Sequence, residues 1–226
     1  MRPDLTERLL RLGAAERELL KDLHQARFAT RLQAEALAAL GGGSLAGLLA
    51  GGLAREVTLE EETIVYLGQS GVRAALALLG DERASGARAY AALRLGHELR
   101  RTELYLALRR VGMPACAYAA EPRLDYRSAA GLGGRTLVPD ALVLGQGGAA
   151  LIEVDRGTEG SGQLRHKWLR YREWQEDGPR RALYVLAQER SRVEATLQAA
   201  GLDATVLCEP EGLARLIWSQ RPVASA

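Results

Sequence analysis

LVPDALVLG (residues 137–145), ALIEVDRGTEG (150–160) and LRHKWLRYREW (164–174) decide how the chain is read. Two apolar, β-branched runs flank the tight turn Gly145-Gln146-Gly147-Gly148. They predict an antiparallel hairpin of strands over Thr136 to Leu144 and Ala149 to Val154. The third segment has helical spacing and predicts a helix over Ser161 to Glu176. Each strand carries one acid, Asp140 and Glu153. Acids are depleted in strands and costly inside a sheet unless they are paired or bound to metal. Pro139 gives up a backbone donor, which suits an edge or bulge where Asp140 can be aimed into a cleft. Facing one pocket, the two carboxylates could hold Mg²⁺ or Mn²⁺, hard cations that take oxygen ligands and activate water against a phosphodiester. The alternative at this stage is that Asp140 opens a turn and Glu153 pairs with an arginine.

Outward from that core, strands are predicted at Ala115 to Ala119, Ala182 to Ala187 and Ala204 to Cys208. Helices are predicted at Asp81 to Val111, Arg190 to Ala200 and Glu211 to Ser219. Further upstream, Ala15 to Leu40 reads as two helices broken near Ala26 to Ala29. Ser44 caps a short third helix ending at Ala50. The β-like pieces Arg55 to Leu59 and Thr63 to Leu67 then flank Glu60, Glu61 and Glu62, and a helix opens near Ser70. Three helices and a hairpin in that order look like a winged helix-turn-helix. The fold class expected is α+β: a helical, winged-helix-like domain over residues 1–79, then an α/β domain with a mixed sheet over 80–226.

The 226 residues are 47% hydrophobic, enough to fill real cores. No stretch approaches the roughly 18 apolar residues of a membrane span, and MRPDLTERLL carries acids where a signal peptide needs an apolar run. A cytoplasmic protein is expected. Cys116 and Cys208 stand far apart without ligand-spaced partners and read as plain buried cysteines. None of the three histidines has a partner at zinc or nucleophile spacing. A net charge of +2 is too mild to announce nucleic-acid binding by itself. The basic residues are nearly all arginine; Lys21 and Lys167 are the two lysines.

The three quoted segments resemble the PD-(D/E)xK nuclease superfamily and, more closely, its plasmid replication-relaxation relatives, in which a winged helix precedes this string. The resemblance spans about Ala15 to Ala187. It implies a nuclease-like fold in a DNA-associated protein of a plasmid or mobile element. It also implies metal ligation by Asp140 and Glu153, with Glu103 or Glu98 on the preceding helix as a further acid. The superfamily's lysine, two residues after the glutamate, is replaced here by Asp155. A lysine there orients the attacking water and offsets phosphate charge, which an aspartate cannot do. Asp155 as an extra metal ligand, or Lys167 reaching back from the next helix, would each compensate. Gln163, Lys167 and Tyr171 stand four apart and share a helix face, and some of these nucleases carry glutamine and tyrosine on that helix. A solvated basic helix is the alternative.

The short helix after Ser44 offers serine, leucine, alanine and glycine where a major-groove reader needs Arg, Lys, Asn or Gln. The wing carries Glu56, Glu60, Glu61 and Glu62, which repel phosphate. The front domain is therefore expected to self-associate or dock a protein partner. DNA is expected to track Arg100, Arg101, Arg165, Arg170 and Arg172. A nuclease-fold protein without catalysis, regulating through its front domain, is the competing expectation.

Overall fold

The structure is a computed structural model that describes residues 5–59, 61–80, 94–127, 134–145, 148–177 and 181–219. The architecture is mixed α+β. Two compact units divide it, Met1–Cys116 and Ala117–Ala226.

In the first unit, α1 (Leu5–Arg11) precedes α2 (Ala14–Ala26), whose buried face carries Leu19, Leu20, Leu23 and Ala26 at helical spacing. The helix ends at Arg27, φ 63°, and the strand β1 (Phe28–Thr30) follows. Thr30 then opens α3 (Arg31–Gly41) through a reciprocal cap. The Gln33 N–H donates to Thr30 Oγ1 at 3.1 Å, and the Thr30 N–H donates to Gln33 Oε1 at 2.9 Å. This cap is the physical reason for the predicted break between the first two helices. Helix α4 (Leu45–Ala50) opens on Ser44, whose Oγ accepts the Gly47 N–H at 3.1 Å. Strands β2 (Ala54–Leu59) and β3 (Glu62–Leu67) form the expected hairpin, and β1 adds to the free edge of β3 to give the order β1-β3-β2. Helix, strand, two helices and a hairpin follow the winged-helix order. Helix α5 (Gln69–Leu79) lies so close to Leu53 that a Cβ on Gly71 would fall 2.1 Å from the Leu53 carbonyl oxygen, so only glycine fits there.

Helix α6 (Leu95–Arg110) was expected in the second domain, but it belongs to the first unit. Its Thr102 hydroxyl lies 2.6 Å from Phe28 O and 3.1 Å from Ala26 O, bonding the carbonyls where α2 gives way to β1. Tyr105 donates to Asp22 Oδ1 at 2.6 Å, and Leu99 O accepts from Gln33 Nε2 at 3.3 Å. The division of the chain thus falls after Cys116, because these buried bonds tie α6 to α2, β1 and α3. Residues 81–93 of the predicted helix, together with Glu60 of the wing, lie outside the described residues.

A 3-10 turn, Ala115–Ala117, straddles the division, and the short strand β4 (Tyr118–Ala120) follows, where one longer strand was expected. Cys116 sits in that turn and is exposed, while Cys208 is half-buried, so neither is the buried cysteine that an apolar run suggested. Strands β5 (Leu124–Arg127) and β6 (Gly134–Leu137) pair as a separate ribbon. The main sheet contains β7 (Ala141–Gly145), β8 (Gly148–Asp155), β9 (Ala182–Ala187) and β10 (Thr205–Leu207) in the order β10-β9-β8-β7-β4. β7 and β8 are the predicted antiparallel hairpin. β8, β9 and β10 are parallel, joined by α7 (Ser161–Asp177) and α8 (Arg190–Ala200), and α9 (Pro210–Ser219) closes the described chain. The core packs Leu151 and Val185 of the sheet against Leu164, Trp168, Trp174 and Leu197 of the two long helices.

Among the described residues no helix is long and apolar enough to cross a membrane.

Candidate active site

The single strand expected over Thr136 to Leu144 is interrupted at Pro139-Asp140, and that interruption builds the site. The ladder between β7 and β8 begins at Ala141↔Ile152, so Asp140 stands one step before it, at strand entry and not in a strand interior. Proline has no N–H to offer a neighbour. Asp140 extends the pairing with its side chain instead, its Oδ2 accepting the Val154 N–H at 2.7 Å. The half-buried carboxylate is thereby fixed beside the strand that carries Glu153.

Glu153 is 1% exposed on central β8. Side chains alternate across a strand, so Leu151, Glu153 and Asp155 share one face, and Leu151 on that face lies in the core built with α7 and α8. Tyr171 of α7 donates its hydroxyl to Glu153 Oε1. The Lys167 ammonium lies 2.5 Å from Glu153 Oε2 as an ion pair. The stripe Gln163, Lys167, Tyr171 explains how one helix supplies both groups. Residues four apart on a 3.6-residue helix drift by about 40° per step, so Gln163 is exposed, Lys167 is partly covered and Tyr171 is fully buried.

Electrostatics follow from that burial. Desolvation first, and then the neighbouring Asp140 charge, push the Glu153 carboxyl well above its ordinary range; Lys167 pulls it down by less. Desolvation by itself would lower the Lys167 ammonium. The joint attraction of Glu153 and Asp140 outweighs it and holds the ammonium above its ordinary value. Burial and the same two acids hold the Tyr171 phenol up as well. Lys167 is therefore a persistent cation and Tyr171 a neutral O–H donor at physiological pH.

The other predicted residues have different partners. Gln163 Oε1 accepts the Gly160 N–H at 3.1 Å and caps the start of α7. Asp155 pairs with Arg192 of α8. Glu103 pairs with Arg100 at 2.5 Å on α6 in the first unit. Arg101 is 1% exposed and bound to the equally buried Glu98, so it is a core ion pair and corrects the expectation that it tracks DNA. Arg170 donates to Thr136 O at 2.6 Å and Arg172 to Ala200 O at 2.9 Å, both from exposed positions, and Arg165 is exposed. Among the described residues no three of His, Cys, Asp and Glu form a metal-holding group. Sequence reasoning missed Arg192. The signal was there in the topology: parallel β8 and β9 end together at Asp155↔Ala187, which starts α8 at the same end of the sheet.

The family model for replication-relaxation proteins matches residues 15–185, more than half of the chain. This chain belongs to the replication-relaxation family. The match begins in α2 and reaches into β9, so Asp140, Glu153, Lys167 and Tyr171 all fall inside the family's span. Comparison with curated proteins and with solved structures finds no match. The replication-related role of the family is thus the functional statement the chain inherits.

Proposed function

We propose that this replication-relaxation protein acts on DNA of a plasmid or mobile element through its α/β unit, as a metal-dependent nuclease centred on Asp140, Glu153 and Lys167. The single observation that carries the reading is the buried Glu153 held between Tyr171 and Lys167, with a second acid near enough to push its carboxyl up. The donor set fits Mg²⁺ or Mn²⁺. Such ions are held by one or two carboxylates together with substrate phosphate, and a cation there would relieve the mutual repulsion of the two acids. Asp140 and Glu153 would hold the ion, which supplies an activated water and Lewis acidity when bound. Tyr171 orients the Glu153 carboxylate. Lys167, already charged, offsets negative charge developing on the phosphate and does not act as a base. The exposed Arg165, Arg170 and Arg172 carry the phosphate backbone.

A second reading, a nuclease-fold scaffold that regulates through a partner of its winged helix, draws support from one fact. Both oxygens of Glu153 are already engaged by side chains of the chain itself.

Cleavage of single-stranded, duplex, nicked and branched DNA with Mg²⁺ or Mn²⁺ separates the two. Under the nuclease reading Asp140→Ala abolishes turnover. Lys167→Ala lowers it by about 100-fold, as loss of a transition-state electrostatic contact does, with little loss of DNA affinity. Equal cleavage by wild type and Lys167→Ala rejects the role given to the lysine. No cleavage by wild type on any substrate favours the scaffold.

A further inference from the structure

We propose that Arg192 is a positioning residue for the Glu153–Lys167 centre: a guanidinium brace that fixes the start of α7, with Asp155 as its anchor. Asp155 occupies the place where the nuclease pattern has its lysine. On the same face of β8 as Glu153, it is itself buried, and one of its oxygens, Oδ2, meets Arg192 Nη2 at 2.6 Å. The other fork of that guanidinium donates to the carbonyl of Glu159, in the connection between β8 and α7. Nε lies 3.4 Å from Glu189 on its own helix. One planar group thus spans the end of the strand and the residues just before α7, a geometry that suits arginine's fixed fork and not a lysine. The connection turns at Gly157, φ 75°, where a Cβ would meet Gln188 at 3.6 Å and Arg192 at 3.9 Å.

Helix α8 touches α7 a second time, one turn further on. Thr196, four residues after Arg192 and so on the same helix face, accepts from Trp168 Nε1 at 3.0 Å. Trp168 is the neighbour of Lys167. The two rungs of α8 therefore set where α7 begins and how it is rotated, and that rotation is what lays Lys167 and Tyr171 on Glu153. Asp155 then serves the brace through Oδ2, which leaves its Oδ1 buried without a hydrogen-bond partner.

The inference rests on Lys167 being the residue that matters to the centre, and it is tested without DNA, metal or turnover, so its failure and that of the nuclease reading are distinguishable. Lys21 and Lys167 are the two lysines of the chain. Acetylation with a limiting amine reagent, read peptide by peptide, reports Lys167 directly against Lys21 as internal reference. Arg192→Gln is expected to raise the Lys167:Lys21 labelling ratio by about tenfold, the change expected when hydrogen bonds to a charged group are lost. Arg192→Lys, which keeps the charge but not the fork, is expected to fall between. Leu197→Ala, a core truncation on the same helix, serves as the stability control and leaves the ratio near wild type. Should Arg192→Gln not fold, Asp155→Asn removes the anchor at constant volume and is expected to raise the ratio too. An unchanged ratio in a folded Arg192→Gln or in Asp155→Asn overturns the proposal. So does an equal rise in Leu197→Ala, which would make Arg192 one more stabilising contact.

Discussion

Each unit of the molecule buries carboxylates, and the two treat them differently. In the first unit Asp22 is fully buried but faces the Tyr105 hydroxyl and Arg109 Nε at 2.8 Å. Burial still pushes its carboxyl up, yet the next largest influences, Tyr105 and Arg109, both pull it down. On α6, Glu98 and Arg101 form a buried pair of opposite charge. In the second unit the next largest influence on Glu153 after burial is another acid, Asp140, and it pushes in the same direction. The buried Asp22–Arg109 pair joins α2 to α6, whereas Glu98 and Arg101 pair within α6 itself. An acid pressed against a second acid stores an affinity for protons or cations, which is of no use to a core and of direct use to a reactive centre.

Breaking the buried Glu98–Arg101 pair has the largest expected effect. Glu98→Ala strands Arg101, 1% exposed, without its counter-charge, and is expected to cost about 3–5 kcal/mol of unfolding free energy in urea melts. Replacing both partners with apolar residues of similar volume is expected to restore most of it. Lys167→Ala is expected to cost clearly less, because that side chain is 28% exposed and Glu153 can answer by holding its proton. A Lys167→Ala cost as large as that of Glu98→Ala would erase the distinction between the two sites.

A smaller, signed effect comes from pH. A carboxyl whose folded pKa is raised contributes stability that is fully present below its ordinary value, near 4.5 for Glu153, and lost as pH rises through the folded value. Glu153→Gln carries no such proton. Its stability relative to wild type should therefore grow with pH above about 4.5, by at most about 1.4 kcal/mol per pH unit, and level off once wild-type Glu153 is ionised. Lys167 titrates far above this window. Thermal melts of both proteins from pH 4 to 8 check it; a gap that narrows as pH rises contradicts the assignment.

The sequence was most legible where chemistry is local. Helix α4, strand β9 and helix α8 fall on their predicted bounds, because a serine cap, an apolar run between breakers and a glycine stop act within a few residues. The convergence of Asp140 and Glu153 was readable from one turn that fixes one register. Strands β1 and β5 were missed: three and four residues long, they exist because β3 and β6 supply partners, which no local pattern announces. The first compact unit runs past residue 80 to Cys116 for a related reason. What ties α6 to the front unit is side-chain bonding across more than 70 residues of chain, from Thr102 and Tyr105 to Ala26 and Asp22. Arg101 looked like surface charge because an arginine on an amphipathic helix usually is one. Its burial depends on Glu98 one turn away and on the carbonyl of Ala26 beyond.

Metal titration of the intact protein asks whether the acid pair in the second unit is a cation site. Thermal unfolding is followed in Mg²⁺ and in Mn²⁺ for wild type, Glu153→Gln and Asp140→Asn. Wild type is expected to gain stability with ion concentration, by about 2.7 kcal/mol at a hundred times the dissociation constant, and both variants are expected to lose that dependence. A wild type indifferent to either ion, or variants that respond as wild type does, would contradict the account.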